Sequence, residues 1–372
     1  MKLHLIAGAR PNFMKIAPLW HGLRGHPKIK ASFVHTAQHR DDVMSSAIWR
    51  ELDLPDPDHV LSWEDISDQD PIASMMAAYQ GLCNADRPDA ICVVGDVNSS
   101  LAAANIANQM DIPLIHLEAG LRCFDQTIPE ETNRIAIDHM ADLLLTPSPD
   151  ADANLLNEGI LPDRIKRVGN IMIDTLVMMA DRIERDRIMD QYGLIKDGYC
   201  LITLHRPDNV DVPEKLRKLC EALVDVSAKY PVCFPIHPRT RKRMEETGCL
   251  EILRSGDVCL LPPLGYAAFG KLMQGAAFVI TDSGGVQEET SYLGTRCLTL
   301  RKATERPITI THGTNRLVDI DGLTEAALSI AKHQNGMRGC DVVSAIPLWD
   351  GATTLRVIAE LDQFMSGGMI GR

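Results

Sequence analysis

Two successive series of short apolar runs, each alternating with helical patterns, constrain this chain more than any other feature. The first series lies at residues 3–7, 31–35, 90–94, 113–117, 143–146 and 165–168. A charged helical stretch at 178–192 intervenes, and the alternation restarts at 199–204, 232–236, 258–261, 278–281, 297–300 and 316–318. Runs of this length suit buried strands. Strands alternating with helices imply parallel sheets, because a parallel pair needs a crossover connection. The expectation is therefore α/β, with two doubly wound domains over 1–169 and 170–351. A length of 372 residues with 45% hydrophobic residues is enough for two such cores. A closing helix, within 352–372, is expected to cross back to the first domain with Leu355, Ile358, Leu361 and Phe364 on one side.

The charge excludes some classes of function. Acidic residues outnumber basic ones, 50 against 38, for a net charge of −12. That argues against nonspecific binding to nucleic acid or to an anionic membrane, but not against a small anion held by a few placed cations. The ten cysteines form no C-x-x-C pair and no Cys/His metal spacing. Cys92, Cys233 and Cys259 sit in apolar runs, which reads as buried reduced thiols and a cytoplasmic protein. The chain enters its first strand-like run at once, without the features of a signal peptide, and no apolar stretch reaches membrane-spanning length.

The chemistry-bearing residues gather where strands end. Residues 281–289 read Thr-Asp-Ser-Gly-Gly-Val-Gln-Glu-Glu, after the apolar run 276–280 and before a helical segment at 286–293. A strand, a glycine turn and a helix start offer free N–H groups and a positive dipole end, which is an anion site in waiting. Ser283 adds a hydroxyl, Gly284 and Gly285 permit close approach, and Glu289 can accept from sugar hydroxyls. An ordinary capped βα turn is the competing interpretation. The first βα turn, Gly8-Ala9-Arg10-Pro11-Asn12, is not the dinucleotide fingerprint. Arg10 and Lys15 bracket its helix start, where cations oppose the dipole, so either an anion or solvent compensates them.

Further runs end in Gly95-Asp96-Val97-Asn98-Ser99 and in His116-Leu117-Glu118-Ala119-Gly120-Leu121-Arg122. Asp96 is either a helix cap or a functional carboxylate. Both it and Glu118 fall at strand C-termini, where open α/β sheets keep their ligand crevice. Pro129-Glu130-Glu131-Thr132-Asn133-Arg134 looks like a helix start. Three carboxylates meeting in one crevice would raise one another's pKa and prepare an acid or base. In the second half, strand-like runs end in His205-Arg206-Pro207-Asp208 and in His237-Pro238-Arg239. Phe269 can stack on a base or pack in the core. Arg306, in Thr304-Glu305-Arg306-Pro307, can face a diphosphate.

These motifs occur in order from about residue 2 to about residue 365, and together the chain resembles the bacterial non-hydrolysing UDP-N-acetylglucosamine 2-epimerases. That resemblance implies a GT-B architecture of two Rossmann-like domains with the active site between them. It also implies a homodimer, reversible interconversion of UDP-GlcNAc and UDP-ManNAc, and no metal or redox cofactor. Carried over motif by motif, Asp96, Glu118, Glu130 and His205 are the catalytic candidates. Arg10, Lys15, Arg134, Arg206, His237, Phe269, Ser283, Gly284, Gly285, Glu289 and Arg306 are the substrate-binding candidates. The implied mechanism removes the C2 proton as UDP leaves C1, then adds UDP back to 2-acetamidoglucal.

The chain departs from the family pattern in places. Asp208 stands where many members carry Glu, and the loop between Glu118 and Glu130 is shorter than in some. Asp41-Asp42 follows Gln38-His39-Arg40, and residues 61–71 carry no arginine of the kind that serves a second UDP-GlcNAc site, so activation by a second substrate molecule is not expected. A hydrolysing epimerase, releasing ManNAc and UDP, and a nucleotide-sugar binding protein without turnover are the alternatives.

Overall fold

The computed structural model describes residues 1–37, 48–62, 71–332 and 346–366. Segment 38–42 lies wholly outside these residues, and 61–71 and the 366–371 tail lie largely outside them. The chain divides into two units, Met1–Met178 with Pro347–Arg372, and Met179–Ile346.

The first unit carries seven strands: β1 Lys2–Ala7, β2 Lys30–His35, β3 His59–Val60, β4 Ala90–Val94, β5 Leu114–Leu117, β6 Leu143–Thr146 and β7 Ile165–Arg167. They form one sheet in the order β3-β2-β1-β4-β5-β6-β7. Every pairing is parallel, as the alternation of strands and helices requires. The order reverses direction between β1 and β4, so a crevice opens at their C-terminal ends. β4 is buried at all five positions, which is why it reads as a continuous apolar run rather than an alternating one. The two-residue β3 was not anticipated, since it is too short to leave a hydrophobic period.

The second unit repeats the plan with β8 Cys200–Thr203, β9 Val232–Pro235, β10 Val258–Leu261, β11 Phe278–Thr281, β12 Arg296–Leu300 and β13 Asn315–Val318. Their order is β10-β9-β8-β11-β12-β13, again parallel throughout, with the reversal between β8 and β11. Neighbouring positions on one strand serve opposite faces. Cys200 and Ile202 of β8 join the core that includes Leu219, Leu223 and Phe234. Leu201 joins the one that includes Leu272 and Val279. Helices cover both faces, so all six expected runs here became strands, as did the six in the first unit.

The closing helix spans Thr353–Ser366 and packs in the first unit, on the helices Arg10–Leu23 and Ile171–Met178. Asp174 caps it, accepting from Thr353 N at 3.0 Å and Thr354 N at 2.6 Å. Trp349 Nε1 donates to Pro147 O at 2.9 Å, anchoring the returning chain before the helix begins, and Arg356 Nε donates to Val168 O at 2.6 Å from the helix's first turn. The buried face differs from the expected one. Val357 and Leu361 are fully buried, while Leu355 is 70% exposed. A period of three alone placed Leu355 with Ile358 and Leu361. The true contact stripe of a helix on two neighbours follows i, i+4, here Thr353, Val357 and Leu361.

Candidate functional site

In the first unit, β1 passes through Gly8 and Ala9 into the helix Arg10–Leu23. A Cβ on Gly8 would lie 1.9 Å from Thr36 Oγ1 and 2.1 Å from Ser99 Oγ, so no side chain fits there. Asn12 locks the turn. Its Oδ1 accepts from Ala9 N at 3.2 Å, and its Nδ2 donates to Val94 O at 2.9 Å, joining the β1 and β4 ends. The Arg10 side chain lies outside the described atoms. Lys15, one turn further, is buried and pairs with Glu118.

Glu118 is held unusually. It has φ +72, a left-handed conformation that costs a side-chain-bearing residue about 1 kcal/mol or more. Leu145 O holds it there, accepting from Glu118 N at 3.0 Å and Ala119 N at 3.1 Å. Gly95 also has positive φ (+62), and its missing Cβ would sit 3.1 Å from Lys15 Nζ and 3.6 Å from Glu118 Oε2. A glycine here therefore lets backbone, cation and carboxylate converge.

Asp96 pairs with Arg134, whose Nη2 stands 2.5 Å and Nε 3.0 Å from Asp96 Oδ2. Its backbone oxygen accepts from Asn133 Nδ2 at 2.9 Å. Asp96 thus joins the helix Pro129–Met140 and does not cap its own helix, whose N-cap is Val97. The adjacent glutamates separate. Glu131 turns inward, bonded by Arg134 Nη1 at 2.6 Å and Phe124 N at 2.8 Å. Glu130 is exposed in the first turn of the same helix. Of the carboxylate candidates, two are therefore paired to buried cations, Glu118 with Lys15 and Asp96 with Arg134.

A buried chain of charges supports this arrangement. His116 Nε2 is 3.1 Å from Gly95 O and its Nδ1 is 2.6 Å from Asp138 Oδ1. Asp138 Oδ2 accepts from Gly120 N at 3.1 Å and Arg122 Nη1 at 2.7 Å, and Arg122 continues to Glu158 at 2.7 Å. Burial pushes the Asp138 carboxyl up, but His116 and Arg122 overcome it and hold it below the ordinary carboxylate value. This network ties together the chain after β4 and the chain after β5. Glu118 and Asp96 ride on those two segments.

In the second unit the central group is Asp282, directly after β11 and fully buried. It accepts from Arg206 N at 2.9 Å, His205 N at 3.1 Å and Asn209 Nδ2 at 3.1 Å. His205 Nδ1 lies 2.9 Å from Asp282 Oδ1 while the ring stays half exposed. Burial raises Asp282, and His205, Arg206 N and Asn209 more than offset it, so the carboxyl sits below its usual value. The histidine's outer nitrogen is thereby turned away from Asp282.

The helix Gly284–Leu293 begins at the glycines themselves, with Ser283 as N-cap. Gly284 and Gly285 therefore lie in its first turn, not in a loop before it. A Cβ on Gly284 would stand 2.7 Å from Arg306 Nη1, which places that guanidinium over the helix start. Arg306 Nε pairs with Glu288 at 2.6 Å, and Arg306 also pairs with Glu305. Gln287 fastens the Arg306 loop, its Oε1 accepting from Thr304 Oγ1 at 2.7 Å and Asn315 Nδ2 at 2.9 Å. Arg301 is buried behind, 2.8 Å from Glu305. Burial pushes its pKa down, and Arg206 and Arg306 act in the same sense, so three guanidiniums share one neighbourhood.

Glu289 is buried and accepts from Tyr266 OH at 2.5 Å. Phe269 packs part of its ring against the second unit's core. His237 is exposed as the N-cap of the helix Pro238–Glu246, accepting from Arg239 N at 3.2 Å. The sequence reading passed over Asp282, Asp138, Arg122, Arg301 and Tyr266. Asp282 had a signal, its position directly after a buried strand. Asp138, in the last turn of its helix, had none.

The candidates fall into two sets. The first unit gathers carboxylates and cations at the ends of β1, β4 and β5, fit for proton transfer. The second gathers guanidiniums, a histidine and a helix N-terminus at the ends of β8, β11 and β12, fit for an anionic group. No helix among the described residues is long and apolar enough to cross a membrane.

The family model described as UDP-N-acetylglucosamine 2-epimerase matches residues 21–362. The chain is 37% identical to the UDP-N-acetylglucosamine 2-epimerase of Methanocaldococcus jannaschii, covering 86% of this chain and 88% of the relative. It is 36% identical, over 86% of this chain and 88% of the relative, to the UDP-2,3-diacetamido-2,3-dideoxy-D-glucuronate 2-epimerase of Pseudomonas aeruginosa. Among solved structures it resembles the M. jannaschii UDP-GlcNAc 2-epimerase in complex with UDP-GlcNAc and UDP. That likeness has TM-score 0.85 and 33% identity, covering 98% of this chain and 100% of the other. The two-sheet architecture is thus GT-B-like.

Proposed function

The chain belongs to the UDP-N-acetylglucosamine 2-epimerase family, and on that premise we propose that it interconverts UDP-GlcNAc and UDP-ManNAc by eliminating UDP and adding it back. The C2–H and C1–O bonds break, a C1=C2 bond forms, and the proton passes to an enzyme carboxylate. Re-addition of UDP after protonation of the opposite face of C2 completes the inversion. The sequence is redox-neutral, so it calls for no electron carrier.

The observation that carries this reading is the pairing of Lys15 with Glu118 and of Arg134 with Asp96 at adjoining strand ends. Carboxylates fixed by cations cannot drift, and a proton acceptor must be fixed to act on one carbon. Asp96, Glu118 and Glu130 are the acid and base candidates. Arg206, Arg306, Ser283 and the first-turn N–H groups of Gly284 and Gly285 take the diphosphate, which must be retained while detached from the sugar. His205, oriented by Asp282, donates to it or to the leaving oxygen. Glu289 accepts from the ribose, Phe269 lies against the base, and Arg10, Lys15, Arg134 and His237 complete the substrate contacts.

The relative named for a diacetamido-glucuronate substrate matches as well as those named for UDP-GlcNAc. Both substrates invert C2 and differ at C3 and C6, so a panel of the two nucleotide sugars decides the natural one. We take the chain to be a cytoplasmic homodimer feeding polysaccharide biosynthesis. The nine described cysteines are all unpaired thiols, which suits a reducing compartment, and light scattering tests the dimer. Purified protein with UDP-GlcNAc alone, followed by NMR, should yield UDP-ManNAc. Free ManNAc with UDP would make it a hydrolysing enzyme, and no product from any of the sugars would make it a binding protein.

A further inference from the structure

A group of side chains on the first sheet takes no part in this chemistry. His4 on β1, His59 on β3 and Asp86, just after the helix Pro71–Ala85, each bring one metal-ligating atom within 4.8 Å of those of the other two. Asp86 pairs with Lys2, the first residue of β1, and His4 lies in the middle of that strand. The residues discussed above follow the C-terminal ends of the strands.

His4 carries the telling feature. Its ring is fully buried, and Nδ1 is 3.1 Å from Tyr79 OH. Nε2 is buried with no hydrogen-bond partner among the described residues. An orphaned buried nitrogen costs about 1–3 kcal/mol. With Nδ1 facing the Tyr79 hydroxyl, Nε2 is the ring nitrogen left to take a ligand. An outer partner that fixes one nitrogen and frees the other is how metal-bound imidazoles are held.

The other two groups form the mouth. His59 Nε2 stands 3.5 Å from Asp86 Oδ2, and their side chains are 28% and 43% exposed. Lys2 pairs with the other carboxylate oxygen, Oδ1. Asp58, which also acts on His4, is occupied by Phe33 N at 2.7 Å. A deep imidazole, a surface imidazole and a surface carboxylate make a lined site with an entry from solvent.

We propose that His4, His59 and Asp86 bind a divalent transition-metal ion of the zinc type, with His4 Nε2 as the innermost ligand and water in the open position. Two imidazoles and one carboxylate suit zinc, cobalt or nickel, whereas magnesium and calcium want oxygen ligands. Bonds of about 2.0–2.2 Å draw the ligand atoms closer than they stand here, and the two surface side chains have room to move. The ion then ties the two-residue edge strand and the end of a helix to β1.

Untagged full-length protein, stripped by a chelator, is titrated calorimetrically with zinc chloride, with magnesium chloride as control. The expected result is one zinc per chain and no magnesium, with the thermal midpoint raised by zinc. His59→Ala and Asp86→Asn alter surface side chains and should fold, which circular dichroism checks. Each should weaken zinc binding by about tenfold or more and abolish the thermal shift. Zinc affinity equal in the native chain and both variants, or no saturable binding, overturns the proposal.

Discussion

Glu118 occupies a left-handed backbone position that costs it energy, and Asp96 is clamped by a bidentate arginine. Such residues are placed by their surroundings rather than by their own preference. Changing a carboxylate to its amide keeps shape and removes basicity. Asp96→Asn, Glu118→Gln and Glu130→Gln should each lower kcat by about a hundredfold or more, with UDP affinity nearly kept. Steady-state kinetics paired with UDP calorimetry check this. Asp138 gives a stability prediction. It is held below the ordinary carboxyl value when folded, so it binds its proton less readily folded than unfolded. Its contribution is complete above the unfolded pKa of about 3.9 and is lost as pH falls through the folded value. Asp138→Asn should cost about 3 kcal/mol at pH 7, because it removes the carboxylate facing His116 and one of the two that face Arg122. It should also flatten the acid limb of the stability profile. Urea melts at neutral and acid pH measure both, and an unchanged acid limb would assign that limb to other groups.

The helix Gly284–Leu293 commits its body to the fold and offers its start to the proposed diphosphate. Gln287, Glu288, Glu289 and Thr290 are all buried; the first three are committed to partners on neighbouring segments, and Thr290 bonds Val286 O of its own helix. Its first turn is two glycines with Arg306 overhead. Gly285→Asp should weaken UDP binding severely, by lost backbone access and by repulsion, and unchanged affinity in a folded variant would remove the diphosphate from this turn. The strand of residues 278–281, the glycines after it and the helix behind them were all legible in the sequence, because periodicity and glycine report backbone directly. Less legible was what the buried polar side chains hold. Nothing in a sequence says that Gln287 reaches Asn315, or that Asp138 reaches His116, since those contacts depend on how segments far apart in the chain pack. The closing helix erred for the same reason. Its apolar residues were visible, but which stripe is buried depends on the two helices it meets.

At the scale of the whole molecule, each unit has its strand-order reversal where its candidate residues gather, at β1/β4 and at β8/β11. That coincidence was implicit in the alternation of strands and helices, since ligands of open α/β sheets sit at such reversals. Regulation belongs to this scale too. Asp41-Asp42 stand where activated members of the family it resembles carry a glutamine-bearing segment, and residues 61–71 hold no arginine. Kinetics in UDP-GlcNAc should therefore be hyperbolic, and UDP-ManNAc should react without added UDP-GlcNAc. A reverse reaction silent until UDP-GlcNAc is supplied would refute this.

The proposed reaction turns on carboxylates of the first unit exchanging the C2 proton of a nucleotide sugar. Incubation with UDP-GlcNAc in deuterated water, read by NMR at C2, tests it most directly. The native protein should place deuterium at C2 of the UDP-ManNAc it forms, and Asp96→Asn, Glu118→Gln and Glu130→Gln should each suppress that exchange while still binding UDP. Exchange and epimerisation at the native rate in all three variants would contradict it.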